Sequence, residues 1–506
     1  YLTSRTRTLD LDSHRGLLVL GERLNPTARK KFAEDLKAGR QTFLREESRK
    51  QAEEGAHVLD INVGLPTIDE TAAIRRSVVT LCNTVDIPLM IDSDNPEVLE
   101  KALMTYPGVP IVNSINGKEK SLRGIIPLVK RFGCFIVALC MDESGIHREA
   151  EKRIAAGDRL VDRLISEGID KNRIIVDALM LAESAEPGSA LETLKVVEHF
   201  AKRGIKVSVG LSNISFGLPE RRHVNNTFLK MAMDRGLFAA ITNPATVKII
   251  DSYNEDEKFA FDFLTGKDPD AARYIARFRD TGSGQKSAPA QKKDDGDALS
   301  RIYHSVVEGN IDSIEDHVRE ALKAFQPQDI MDRGLLAALE TVGQYYSTGE
   351  YFLPQMLASA NTMKKGFLML KPLLSSEASG KLGRVIICTV KGDIHDIGKN
   401  IVAMMMENHG FEVHDLGKDV ASDIIIKSAL EIKADIICLS SLLTTTMGEM
   451  KTVKEMLKAK NIAIPVMVGG AVVNEDYARS IGAHYSRDAV EAVNSAKALV
   501  ASAKQG

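Results

Sequence analysis

The sequence predicts a multidomain α/β chain: a (β/α)8 TIM barrel, then a small helical bundle, then a flavodoxin-like doubly wound parallel α/β domain. Three observations predict it. Eight short apolar segments recur through the first half of the chain with helical patterns between them, the arithmetic of a barrel of about 250 residues. A stretch without apolar period then gives way to helical stripes of Leu and Met. Finally, five more apolar runs alternate with helices, the pattern of an open parallel sheet. At 506 residues the chain exceeds what one core can hold, and two to four domains are expected.

The barrel is assigned to residues 1–280, with strands predicted at Leu17–Gly21, Val58–Ile61, Pro88–Ile91, Pro110–Val112, Phe135–Cys140, Arg173–Val176, Val207–Leu211 and Ala239–Ile241. These segments close on Glu22 and Asn25, Asp60 and Asn62, Asp92, Asn113, Asp142, Asp177, Asn213 and Asn243. Carboxylates and carboxamides at successive strand ends point into one mouth, the face that carries chemistry in this architecture. Such a ring suits a flat, nitrogen-rich heterocycle, because aspartates accept from ring N–H groups while asparagines donate and accept at once. One such residue alone is more often a turn or cap, and Asn25, Asp60 and Asn243 are individually open to that reading. Eight in register argue for a binding mouth. Phosphate substrates fit less well, since no Gly-rich loop with a lysine follows a strand early in the chain.

Residues 281–297 are rich in Gly, Ser, Lys, Gln and Asp and read as a flexible linker, either a tether between two sites or a plain spacer. Residues 298–380 form the bundle, with helices predicted near 297–309, 311–325, 330–346 and 352–370. Residues 381–506 form the open sheet, with strands predicted at Arg384–Val390, Glu412–Asp415, Asp435–Leu439, Ala463–Val468 and His484–Tyr485. The run K-G-D-I-H-D-I-G-K-N, Lys391 to Asn400, leaves the first of these strands. That places Asp393, His395 and Gly398 at a strand's carboxyl end, where open α/β sheets bind ligands. An imidazole with a carboxylate two residues upstream suits metal ligation, with an acceptor to fix its tautomer. Ser440 and Leu442 follow the third strand, and Gly469-Gly470 the fourth. No G-x-G-x-x-G follows the first strand, which weakens a dinucleotide reading.

A net charge of −3 with both signs interspersed gives no reason to expect nucleic acid or a membrane surface as partner. The five cysteines, Cys82, Cys134, Cys140, Cys388 and Cys438, are scattered, form no zinc arrangement and read as reduced thiols of a cytoplasmic protein. No run is long enough for a membrane span and no signal peptide leads the chain. Tyr1 does not look like a native start, so an amino-terminal piece is expected ahead of it.

The set D-x-H-x-x-G, S-x-L and G-G, present as Asp393/His395/Gly398, Ser440/Leu442 and Gly469/Gly470, resembles the B12-binding module of corrinoid-dependent methyltransferases. The barrel resembles the pterin-binding family of methyltetrahydrofolate:corrinoid methyltransferases, relatives of dihydropteroate synthase and of the folate domain of cobalamin-dependent methionine synthase. The resemblance is carried by G-E-R-L-N-P-T (21–27), L-D-I-N-V-G (59–64), I-D-S (91–93), V-N-S-I-N-G (112–117) and G-L-S-N-I-S-F-G-L-P-E-R (210–221). It implies that Asp92, Asn113 and Asp177 bind the pterin ring with Asp60 nearby, that Asn213 lies beside N5, that Arg221 orients the substrate, and that Asp142 joins the mouth. A methyl on a tertiary amine leaves badly unless N5 gains a proton or strong hydrogen-bond donation. Asn213 can follow that change by rotating its amide, whereas a carboxylate only accepts.

The helical segment is similar to the cap of corrinoid proteins, best at G-E-Y-F-L-P-Q-M-L-A-S-A (349–360). The capping leucine falls on Leu353 and the capping aromatic, commonly Phe, on Tyr346. In the last domain the resemblance implies that His395 ligates cobalt and Asp393 bonds its other nitrogen. Thr446 stands where Ser is usual, while Ser440, Leu442, Thr444, Gly469 and Gly470 hold the cofactor. The implied activity is methyl transfer between N5 of tetrahydrofolate and protein-bound cobalamin. Its direction is open: methionine-synthase-like, or toward tetrahydrofolate in a demethylation pathway. A separate methyltransferase or homocysteine-binding component, and a reductive activator of the corrinoid, are the expected partners, with a homodimer through the barrel as an open assembly. Dihydropteroate synthesis leaves the B12 module without a task, and a B12-binding regulator leaves the mouth residues without one.

Overall fold

The computed structural model describes residues 1–65, 68–278, 297–374, 382–393, 397–442, 446–470, 472–487 and 489–503. Of the expected linker, only Asp297 is among them. The described residues fall into two compact units: those within Tyr1–Asp295, Val307–Asn310 and Leu339–Asn361, and those within Gly296–Val306, Ile311–Ala338 and Thr362–Gly506.

In the first unit a short antiparallel pair, β1 (Leu2–Thr3) and β2 (Thr8–Leu9), precedes eight strands: β3 (Leu18–Leu24), β4 (Val58–Ile61), β5 (Leu89–Asp92), β6 (Ile111–Ile115), β7 (Phe135–Leu139), β8 (Ile174–Asp177), β9 (Lys206–Gly210) and β10 (Ala239–Thr242). They pair in parallel in chain order, and β10 returns to β3 to close the barrel. All eight lie where the apolar segments predict them. β3 runs three residues further, past a register shift between Gly21 and Leu24, and β6 reaches Ile115. Both extensions are polar segments kept in the ladder by their neighbours, which local composition does not reveal.

Side chains alternate across each strand. One set, with Leu59, Ile61, Ile91, Val112, Ile136, Val176, Val207 and Val209, packs against the surrounding helices. The other, Leu18, Leu20, Val58, Met90, Ile111, Phe135, Val137, Ile175 and Ala239, forms a separate cluster that contains no helix residue and is therefore the barrel interior. Leu2 and Leu11 belong to this inner cluster, and the Thr3 N–H donates to the Val109 carbonyl just ahead of β6. The β1–β2 pair thus plugs the end opposite the mouth. Local signals start the outer helices: Asp69 caps Glu70–Cys82, Asn95 with Pro96 opens Pro96–Thr105, and Asn254 with Glu257 forms a capping box on Glu255–Leu264.

The helical segment contains Ala298–Glu308, Ile314–Ala321, a run from Pro327 through a wide π turn at Ile330–Leu336 into Ala337–Thr348, and Leu353–Leu374. The periodicity predicts an ordinary helix across the π turn. The wider turn keeps Ile330, Met331 and Leu335 all fully buried, with Gly334 against Ile302.

In the second unit five parallel strands, β11 (Arg384–Thr389), β12 (Glu412–Asp415), β13 (Ile436–Ser440), β14 (Val466–Gly469) and β15 (His484–Tyr485), stand in the order β12-β11-β13-β14-β15. Alternate residues of β11 enter two cores, Ile386 and Cys388 on one face, Val385 and Ile387 on the other. Strand order reverses between β11 and β13, so the crevice outside their carboxyl ends is the expected ligand site of this doubly wound sheet. No described helix is long and apolar enough to cross a membrane.

Leu2 is fully buried in the barrel interior. Leu2→Ala is expected to lower the unfolding free energy by about 2–5 kcal/mol, read as a lower urea midpoint at unchanged slope.

Candidate functional site

The alternation that builds the barrel interior also builds its mouth. Two residues beyond Leu20, Val58, Met90, Ile111 and Ile175, the inward positions become Glu22, Asp60, Asp92, Asn113 and Asp177. The same phase carries β4 on to Asn62. Apolar layers thus fill the barrel and a polar layer tops it.

The polar layer is cross-linked by its own carboxamides. Asn62 Nδ2 donates to Asp92 Oδ2 at 3.0 Å, and Asn113 Nδ2 lies 3.5 Å from Asp60 Oδ1. Asp177 Oδ1 accepts from the Leu179 N–H at 2.8 Å and Oδ2 from Ser208 Oγ at 3.2 Å, since β8 and β9 place residues 177 and 208 side by side. Burial, and then the Asp92 charge, push Asp60 well above the ordinary carboxylate range. Burial likewise raises Asp92, against the Asn62 hydrogen bond. Asp177 is pushed up to about 6 by burial, which its two hydrogen bonds only partly oppose.

The other expected mouth residues sit differently. Asp142 lies three residues beyond the end of β7 and accepts from His147 Nε2 (3.1 Å), Arg159 (2.8 Å) and the Ser144 N–H (3.0 Å). Burial alone would raise its carboxyl; those three partners bring it below the usual range instead. Asn25 caps a short turn through the Thr27 N–H, and Asn243 accepts from Arg23, so both have structural work. Asn213 ends a 3-10 turn, Leu211–Asn213, with its side chain exposed. Arg221 directs its guanidinium to Ser215 Oγ (3.0 Å) and to the Ser212 carbonyl, bracing the turn that presents Asn213. Ser212 Oγ in turn donates to Glu22 at 2.7 Å. Ser208 escaped the sequence reading; its signal was its phase, inward on β9 beside Asp177.

The second unit gathers its described motif residues at the crevice between β11 and β13. Asp393 is fully buried, and its Oδ2 accepts from the Leu442 N–H (2.6 Å) and faces Thr446 Oγ1 (3.2 Å) and Ser441 Oγ (3.4 Å). Ser441 and Thr446 also bond each other at 2.7 Å, so one hydroxyl donates to the carboxylate and the other to its neighbour. Ser441, between the two residues singled out from the sequence, is the unexpected member. Its only sequence signal is a second hydroxyl in S-S-L. Gly470 has φ +130°, and a Cβ there would overlap the Ser441 carbonyl oxygen. Gly469 faces the Ser486 carbonyl with 3.1 Å for an added Cβ. Gly398 is exposed at the start of the helix Ile397–Asn408, and Ser440 ends β13. Next to Gly398, buried Lys399 pairs with Asp415 and donates to Asn400 Oδ1 at 2.6 Å. His395 and Thr444 lie outside the described residues. Tyr346, partly exposed, and Leu353, 9% exposed, fall in the first unit. Among the described residues no group of three His, Cys, Asp or Glu could hold a metal ion by itself.

This donor set fits a corrinoid held through one histidine. A carboxylate fixed by a backbone N–H and a hydroxyl, two residues from His395, is an acceptor with one orientation, and bare backbone at Gly469-Gly470 lets this loop close against the Ser441 and Ser486 carbonyls, which any Cβ would meet.

Residues 21–243 match the family model of pterin binding enzymes, and residues 298–371 and 383–494 match two models of B12 binding domains. Over 97% of its length the chain is 31% identical to a methionine synthase of Mycobacterium tuberculosis, and over the same share 30% identical to one of Mycobacterium leprae. It spans 44% and 43% of those proteins, less than half the length of each. Among solved structures, a chain of the methanol:cobalamin methyltransferase complex of Methanosarcina barkeri is 30% identical, with 43% of this chain and 86% of that chain covered and a TM-score of 0.34.

A carboxyl raised to about 6 in the fold and near 3.9 unfolded binds its proton more tightly when folded, so stability falls as pH rises through that window. Asp177→Asn is therefore expected to flatten the pH dependence of stability between about pH 4 and 6 and to add about 1–3 kcal/mol at pH 7.5. Urea unfolding at pH 4.5, 6 and 7.5 measures both, and a variant less stable than the parent at pH 7.5 would contradict the assignment.

Proposed function

Because the chain unites a pterin-binding enzyme domain with two B12 binding domains and is homologous to methionine synthase, we propose that it moves a methyl group from N5 of methyltetrahydrofolate, held in the barrel mouth, to cobalamin held by the second unit. The presence of both domain types in one chain is the observation that carries this reading. In it, residues 1–280 are the folate barrel, 281–297 a linker, 298–380 the cap and 381–506 the cobalamin domain. A homocysteine-binding component and a reductive activator are the partners it requires, and the cytoplasm is the compartment it suits.

The mouth supports the folate half. Asp60, Asp92 and Asp177 present carboxyl oxygens to a ring edge rich in N–H donors, while Asn113 offers a carboxamide. Because these carboxyls hold protons more tightly than ordinary aspartates, the mouth can store a proton near N5 as its basicity rises. Asn213, exposed on its turn, is the group free to reorient toward N5. It therefore acts on the changing charge rather than on ring affinity. Bound cobalamin supplies a metal centre that accepts and releases the methyl group. The chain's part in the second unit is to fix the histidine at 395: Asp393, held by Leu442, Ser441 and Thr446, orients the imidazole and takes up or returns its proton.

Visible spectroscopy of the cobalamin-loaded full chain, reduced to Co(I) under anaerobic conditions, tests the proposal. Addition of methyltetrahydrofolate should abolish the Co(I) absorption and release equimolar tetrahydrofolate. Persistence of the Co(I) band with both ligands bound would overturn it. In the same assay Asn213→Ala should slow transfer by about 10²–10³-fold while changing folate affinity by less than about fivefold; equal losses in both would remove its transition-state role.

A further inference from the structure

The turn after β9 that presents Asn213 is held unevenly. Its inner residues, Leu211, Ile214 and Leu218, are buried in the barrel core, and Arg221 braces Ser212 and Ser215. Its outer residues, Phe216 and Gly217, project from the barrel, with Phe216 54% exposed. The Phe216 N–H donates to the Asn213 carbonyl at 3.1 Å, so any movement of the outer residues is felt at Asn213.

Two contacts hold this outer half. Ser184 Oγ donates to the Phe216 carbonyl at 2.6 Å. The second partner comes from far along the chain but lies within the same unit: the Leu353 N–H donates to the Gly217 carbonyl at 3.0 Å. Leu353 is the first residue of the helix Leu353–Leu374, where a backbone N–H has no partner inside the helix. Gly217 has φ +76°, a conformation that favours glycine, and a Cβ there would overlap the Leu353 side chain. Leu353 is nearly buried as a result, and its neighbour Phe352 packs against the barrel core. The Phe352 N–H is itself closed off by Gln355 Oε1 at 2.9 Å, which fixes the segment as it enters the helix.

We infer that Gly217 is a seat for the Phe352–Leu353 segment and that this contact positions Asn213. Gly217 and Phe352 are positioning residues, acting through the turn rather than on substrate. The orphan N–H at the helix start finds its acceptor on the barrel, and the bare α-carbon lets the leucine close over it. The segment that carries the expected capping leucine is therefore an element of the folate turn. Withdrawing Leu353 to cover any other surface frees the Gly217 carbonyl and loosens Phe216, and with it Asn213. The seat is independent of the methyl-transfer reading; its consequence for Asn213 chemistry rests on that reading.

Hydrogen exchange of the full chain, with and without methyltetrahydrofolate, tests the seat directly. Gly217→Ala and Phe352→Ala should each speed exchange of the Leu353 amide by about tenfold or more, while the barrel strands keep their protection. Phe352→Ala leaves the turn's own backbone unstrained, so it decides the matter if Gly217→Ala disturbs the turn by itself. Unchanged Leu353 exchange in Phe352→Ala overturns the seat, whatever the chain transfers. For the consequence, both variants should slow methyl transfer by about tenfold at nearly constant folate affinity, and neither should slow it further in an Asn213→Ala background. An undiminished loss in that background means the contact does not act through Asn213 and overturns the positioning role. If the parent chain transfers no methyl group, the functional reading fails while the exchange result still stands or falls alone.

Discussion

Aspartates buried at the top of a closed barrel carry full charge only at a cost. Asp60 and Asp92 share this predicament: burial raises each, the Asp92 charge raises Asp60 further, and the Asp94 and Glu70 charges raise Asp92. Each accepts one carboxamide hydrogen bond, from Asn113 and Asn62 respectively, and the Asp60 contact is long at 3.5 Å. A carboxylate has about four acceptor sites, so the mouth is under-supplied with donors. A flat ring bearing several N–H groups supplies what is missing. Charge-assisted hydrogen bonds of about 1.5–3 kcal/mol each are enough to turn a costly cluster into a selective one. A ligand that offered acceptors instead would worsen the repulsion already present. On the proposed reading the mouth's selectivity follows from an imbalance built into the barrel's polar layer.

Asp393 shows the opposite arrangement. Its carboxylate is as deeply buried, yet one of its oxygens alone accepts from a backbone N–H and lies within reach of two hydroxyls, one of which donates to it. Ser441 and Leu442, directly after β13, pack against the G-G backbone: the Ser441 N–H donates to the Gly469 carbonyl at 3.1 Å, and the Ser441 carbonyl leaves Gly470 no room for a side chain. On the proposed reading an aspartate so supplied is a fixed acceptor that orients a neighbour, rather than a receptor waiting for a ligand. The same residue type would then do two jobs in one chain, with the number of donors around it separating them.

Much of this was legible in the sequence. Strand positions followed from apolar runs, because a parallel strand buried on both faces has little freedom in composition. The mouth residues Asp60, Asp92, Asn113 and Asp177 followed from the strand ends. Less legible was which strand-end polar residues face inward. Asp142 and Asn243 look equivalent to Asp92 by position, yet Asp142 lies beyond the end of β7 in a set of ion pairs and Asn243 serves Arg23. Phase relative to the inner apolar layer separates Asp142 from the rest, and the same rule would have found Ser208. Ser441 was hidden for another reason: its contribution is a hydroxyl turned back on Asp393, a tertiary contact spanning 48 residues that no spacing rule encodes.

The contact least legible of all joins Gly217 to Leu353, far apart in sequence and predicted to serve different modules. Its logic is nonetheless local. A helix start has donors to spare, and a turn with a positive φ exposes its carbonyl and lacks a side chain to shield it. Each end supplies what the other lacks. The buried carboxylates of the mouth are rigid by burial, whereas Asn213 is exposed, and its backbone must be held by other means if its amide is to turn beside N5 from one position. Precision at an exposed residue has to be borrowed from neighbours. Here the neighbours are Arg221, which bonds Ser212 and Ser215, and the Phe352–Leu353 segment at Gly217, so on the proposed reading the part of the site that responds to the reaction is also the part most open to control by the rest of the chain.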